Sequence, residues 1–164
     1  MDLIVGADGY AHMGAQSFRC AIGTHGLTHA KREGDGATPI GVWPCRLLYY
    51  RPDRLMPPST GLRTIALTPQ DGWCDAPDDP NYNRPIRLPY PRSAESLWRD
   101  DPVYDLIVPL GYNDAPVIPG RGSAIFLHLA RPGYVPTEGC VALAREDLLA
   151  FLTRADAGSR ILAG

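Results

Sequence analysis

The chain has 164 residues, 45% of them hydrophobic and 21% charged, with a formal net charge of -2. That length suits one domain, residues 1–164, with a sizeable core. The near-neutral balance offers no basic excess for nucleic acid or anionic lipid. Seventeen glycines and seventeen prolines, spread along the chain, argue against a helical bundle and predict a β-rich domain with many turns.

The start, Met1-Asp2-Leu3-Ile4-Val5-Gly6, has no basic n-region and no long apolar h-region, so no standard export signal is expected. No window reaches membrane-spanning length. Leu3–Val5 and Ser17–Ile22 are expected strands of an opening hairpin. Gly34–Gly41 is turn chemistry throughout. Val42–Tyr50 and Arg63–Leu67 are expected strands, and 68–92 reads as one long ordered loop anchored by aromatic residues, of the kind that contacts something. A short helix is expected over Ser93–Arg99, and strands over Tyr104–Leu110 and Ser123–Leu129. Leu143–Thr153 reads as a helix with an apolar stripe of Leu148, Leu149 and Leu152 and with acidic residues in its first turns. Ser159–Leu162 is the last expected strand.

The four cysteines, Cys20, Cys45, Cys74 and Cys140, form no C-x-x-C pair, so no zinc site and no other metal or cofactor is expected. Cys20 and Cys45 read as small buried hydrophobes. A Cys45–Cys74 disulfide is open on spacing alone. His12, His25 and His29 have no partners at ligand spacing and read as surface residues.

The segment Gly122–Leu143 carries the chemistry. A buried-looking strand delivers His128 near its end, a Pro/Gly loop follows, and Gly139-Cys140 leads into a predicted helix. A thiol needs ionisation to become a nucleophile, and an imidazole within reach can take its proton. The first turn of a following helix would favour the negative sulfur. Gly139 would let the backbone approach a carbonyl, with amides around Gly139 and Cys140 as oxyanion donors. With no acidic residue near His128 in sequence, the Leu129 carbonyl is a candidate to orient the imidazole. Each of these residues, taken singly, is more often structural than catalytic.

Three pieces together resemble the L,D-transpeptidase (YkuD-like) catalytic domain. Gly34-Asp35-Gly36-Ala37-Thr38-Pro39-Ile40-Gly41 resembles the family's G-x-x-T-P-x-G signature. Phe126-Leu127-His128 resembles the strand bearing its histidine, and Thr137-Glu138-Gly139-Cys140 resembles its [ST]-H-G-C motif. The resemblance implies a mainly β fold, a β-sandwich with one main helix after the cysteine. It also implies a cysteine-dependent acyltransferase that forms a thioester with a peptidoglycan stem peptide and passes it to an amine. The departures are Glu138 in place of the second histidine, Ala142 in place of a polar residue, and a short loop between His128 and Cys140.

Donor and acceptor positions stay open, with 3-3 or 1-3 links both possible outcomes. So do a hydrolase, as carboxypeptidase or amidase, and a non-catalytic wall-binding domain. Tyr82, Asn83 and Arg84 are candidate grips on stem-peptide carboxylates and amides, with an internally braced loop as an equal alternative. Arg131 and Tyr134 flank the site, Thr137 either contacts the sulfur or caps the loop, and Glu138 faces substrate. The setting implied is the periplasm or cell envelope when exported, with the cytoplasm left open.

Overall fold

The computed structural model describes residues 1–164. It is mainly β, as the sequence implies, with a curled sheet and one α-helix. Fifteen strands run β1 (Asp2–Val5), β2 (Tyr10–Met13), β3 (Gln16–Ala21), β4 (Leu27–Thr28), β5 (Thr38–Pro39), β6 (Gly41–Pro44), β7 (Leu48–Tyr50), β8 (Thr64–Ala66), β9 (Asp71–Cys74), β10 (Pro85–Arg87), β11 (Ala94–Ser96), β12 (Leu106–Pro109), β13 (Phe126–Leu129), β14 (Val141–Leu143) and β15 (Arg160–Ala163). The helix, α1, spans Arg145–Arg154. Ten strands form the main sheet in the order β6-β15-β1-β2-β3-β14-β13-β12-β7-β8, and a small sheet has the order β10-β9-β11.

The centre of the main sheet explains why its strands read as unbroken apolar runs. All four residues of β12 and all four of β13 are buried, as expected of strands covered on both faces. Side chains alternate between the faces. Leu127 and Leu129 point into the large core, whereas Phe126 joins a second, smaller cluster with Leu97, Tyr104, Ile107 and Cys140. His128, two residues from Phe126, takes that second face. The large core is closed by α1, whose Leu148, Phe151 and Leu152 are fully buried. Each such side chain contributes about 1.5–3 kcal/mol by leaving water.

Several expected elements are placed differently. The opening is a three-stranded meander, because β2 intervenes between the two expected strands. Its alternating pattern, Ala11 and Met13 buried with Tyr10 and His12 exposed, is the strand signal. Val42–Tyr50 splits into β6, at one edge of the main sheet, and β7, next to the strand at the other edge. The expected helix over Ser93–Arg99 is instead β11, which pairs with β9 through Ala94, Glu95 and Ser96. The expected loop 68–92 contains β9 and β10. All four cysteines are free and buried, so Cys45 and Cys74 form no disulfide. Cys45 lies in the large core, as its reading as a small hydrophobe requires.

Candidate active site

The second face of β13 opens into a cavity of about 480 Å³ lined by His128, Gly139 and Cys140. The loop after β13 returns the chain so that β14 pairs in parallel with β13, setting Leu127 opposite Val141 and His128 opposite Ala142. That register puts Cys140, the residue before β14, beside Phe126, whose N–H points at Sγ at 3.4 Å. Cysteine and histidine thus meet on one face because two adjacent strands carry them.

His128 is 5% exposed. Its Nδ1 lies 2.9 Å from the Leu129 carbonyl. A carbonyl only accepts, so Nδ1 carries the hydrogen and Nε2 is the basic nitrogen. The Leu129 carbonyl is the partner of Nδ1, the contact that an orienting role would use. The Tyr104 ring stands edge-on to the imidazole at 5.4 Å. Burial, against a partly offsetting hydrogen bond to the Leu129 carbonyl, lowers the His128 pKa to about 4. Burial raises the Cys140 thiol to about 12. Both groups are therefore neutral at rest, and the thiol donates to the Ala124 carbonyl at 3.2 Å. Ala124 itself sits at φ +53°, a left-handed conformation that a non-glycine residue adopts only when neighbours hold it.

The helix dipole expected behind Cys140 is not there. Cys140 runs into β14, and α1 begins only at Arg145. Gly139 has a different task from the expected one. Its φ is +146°, and a Cβ there would lie 2.9 Å from the Ala37 carbonyl. Its N–H is donated to Thr137 Oγ1 at 3.1 Å, while that hydroxyl donates to the Cys140 carbonyl at 2.6 Å. Thr137 is thus the loop cap. The Gly34–Gly41 segment seats this loop. Thr38 Oγ1 accepts from the Gly23 N–H at 2.9 Å, and Gly23 forms a bridge to Thr137.

The expected substrate grips divide. Tyr82 is buried, and its hydroxyl donates to Glu33 at 2.8 Å and accepts from the Gly122 N–H at 3.0 Å. Asn83 is buried and fully committed. Its Oδ1 accepts from Trp73 Nε1 and the Ala124 N–H, both at 3.0 Å, and its Nδ2 donates to the Tyr112 and Asn113 carbonyls. These two side chains brace the site from behind. Arg84 is exposed and outside the cavity lining. Tyr134 also stays outside, beneath the Arg19 guanidinium at 4.5 Å. Arg131 and Glu138 are exposed and do line the cavity.

Residues that sequence reasoning passed over complete the wall. Lys31, Asp75, Glu95 and Tyr104 all line the cavity. Glu95 accepts a hydrogen bond from the Tyr104 hydroxyl, and burial raises the pKa of both. Asp75 Oδ1 is buried with no hydrogen-bond partner. Glu95 belongs to β11, whose three residues show no alternation of burial, and the helix expected there hid its place at the wall. His25 is exposed, as expected, but stands at the cavity rim, 2.7 Å from the Asp35 carbonyl.

The model of the YkuD L,D-transpeptidase catalytic domain matches residues 10–162. The chain belongs to that family. Comparison with curated proteins and with solved structures finds no match. The YkuD family is typically a cysteine-dependent transpeptidase and acts on peptidoglycan stem peptides. No helix of the structure is long and apolar enough to cross a membrane.

Proposed function

We propose that this YkuD-family chain is a peptidoglycan L,D-transpeptidase in which Cys140 is the nucleophile and His128 the base. The observation that carries the reading is the shared cavity. Cys140 and the basic Nε2 side of His128 face one space, with the imidazole's other nitrogen fixed by Leu129. In acylation the thiol exchanges the Ala124 carbonyl for Nε2, and its proton passes to the imidazole as sulfur attacks the stem-peptide carbonyl. The tetrahedral intermediate collapses to a thioester, and the departing amine takes the proton from the imidazolium. An acceptor amine then attacks the thioester and loses a proton to Nε2, and as the new amide forms the departing Cys140 sulfur takes that proton back from the imidazolium. Since Gly139 N–H is already donated to Thr137, the Cys140 N–H is the remaining backbone donor of that pair for the oxyanion. Peptidoglycan as substrate supports a setting in the periplasm or cell envelope when the chain is exported, with the cytoplasm left open.

The test is intact-protein mass spectrometry with purified tetrapeptide muropeptides, together with analysis of released products. A mass gain on the wild type that Cys140→Ala lacks, with new cross-linked dimers, supports the transpeptidase. Fragmenting the dimers distinguishes a 3-3 from a 1-3 link. Shortened monomers without dimers would move the reading to a hydrolase. Binding without adduct or product, unchanged in Cys140→Ala, would move it to a non-catalytic module.

A further inference from the structure

The mechanism leaves one buried cation at the site unused. Lys31 is 6% exposed, an unusual position for a lysine. Its Nζ is 2.5 Å from Asp35 Oδ1 and 3.1 Å from the Arg32 carbonyl. An ammonium has three hydrogens, and Lys31 spends two of them on these partners. The same nitrogen stands 3.4 Å from where a Cβ of Gly139 would lie, and it lines the cavity with Cys140. Asp35 is fixed in turn by the Arg32 N–H at 2.8 Å and the Ala37 N–H at 3.0 Å. The Gly34–Gly41 turn thus clamps a positive charge against the Gly139-Cys140 backbone.

Charges of both signs surround the sulfur. Glu95 and Glu138 both disfavour a negative sulfur at Cys140, while the Phe126 N–H and Lys31 favour it. Tyr104 feels the sulfur directly. His128 faces Arg99 and Arg131, which disfavour its protonation, and Asp101, which favours it. Arg99 is bound to Asp101 at 2.6 Å and 2.8 Å, and Arg131 is exposed. Lys31 is the buried cation among the three.

We propose that Lys31 is a positioning residue for Cys140: its ammonium, held by Asp35, supplies the positive potential that favours the thiolate over the thiol. The proposal rests on Cys140 being the reactive thiol. A buried cation beside a cysteine lowers the cost of ionising it. An alternative role, merely bracing the Asp35 turn, would need no charge on the cavity side.

The experiment measures alkylation of Cys140, resolved from the other cysteines by peptide mapping. It compares neutral iodoacetamide with anionic iodoacetate at fixed ionic strength. Lys31→Met is expected to slow iodoacetamide about tenfold, the effect of one pH unit in thiolate fraction. It should slow iodoacetate further, because the local attraction for an anion is lost too. Lys31→Arg should keep both rates within about threefold. Equal slowing by both reagents in Lys31→Met, or no rescue by Lys31→Arg, overturns the proposal. Because Lys31→Met leaves Asp35 unpaired, the double variant Lys31→Met/Asp35→Asn is measured alongside it. The same selective loss of iodoacetate reactivity is expected, and an unchanged reagent ratio would again overturn it. The readout uses no muropeptide, so a failed transpeptidase assay with an intact reagent ratio separates the two readings.

Discussion

Two polar, turn-rich segments flank the cavity and behave in opposite ways. Trp73–Arg84 has the composition of a binding loop, yet its Tyr82 and Asn83 turn inward and are consumed by backbone and side-chain partners. Lys31–Gly41 has the composition of a plain turn, yet it brings an ammonium to the Gly139-Cys140 backbone. Polar side chains in a long loop must first satisfy buried backbone groups nearby. Only what is left over can meet a ligand. Asn83 has nothing left over, whereas Lys31 retains one donor.

The largest expected effect lies on the wall between these segments. His128→Ala should slow single-turnover acylation by about 10²–10⁴-fold, the range for a lost general base. An unchanged rate would take the imidazole out of the mechanism. The acid limb of the same reaction should fall near pH 4, where burial places the imidazole, and not near the ordinary value of about 6.5. The sign also sets a stability trend. The unfolded chain takes this proton first, so stability is fully present above about pH 6.5 and is lost as pH falls toward 4. This difference of about 2.5 units corresponds to about 3 kcal/mol. Urea melts at pH 7 and pH 4.5 should show a smaller difference in His128→Gln than in the wild type.

Asn83→Ala sharpens the contrast next. It leaves Trp73 Nε1, the Ala124 N–H and two carbonyls without their partner. At about 1–3 kcal/mol for each buried group left unmade, partly relieved by water, a loss of about 3 kcal/mol is expected. For a chain of this size that lowers Tm by about 6–12 °C. Acylation should slow as well, because Ala124 is released from its left-handed conformation and its carbonyl holds the Cys140 thiol. A variant with wild-type Tm would mean that Asn83 is not the brace.

The contrast also explains what could be read from the sequence. The strand carrying His128 was legible because Phe126–Leu129 is buried on both faces and apolar everywhere except at the histidine. Cys140 was legible from its place after Gly139 and from the motif around it. The direction of the 73–84 segment was not, because nothing in the string Tyr82-Asn83-Arg84 separates an amide that grips a ligand from one that grips Ala124. Glu95 was hidden by helix-forming neighbours, although pairing with β9 made it a strand residue. Lys31 was invisible because its role depends on the Gly34–Gly41 turn folding back onto Gly139, far along the chain.

Gly139→Ala tests that fold-back directly. The φ of +146° is strained for any side chain, and the new Cβ would press on the Ala37 carbonyl at 2.9 Å. A cost of about 1–3 kcal/mol is expected, read as a Tm fall of about 2–12 °C, with slower Cys140 alkylation as the loop moves off the turn. A neutral result would detach the motif from the site loop.

Arg84→Ala is the smallest effect and the sharpest check on the other segment. Arg84 is exposed and lies outside the cavity, so its removal should change stability by less than about 0.5 kcal/mol and leave muropeptide acylation at the wild-type rate. An arginine that bound a stem-peptide carboxylate bidentately would instead raise KM on truncation and leave kcat nearly unchanged. That outcome would restore the binding-loop reading of Trp73–Arg84. It would require the segment to reach substrate with Arg84 alone, since the two residues before it are spent on the scaffold.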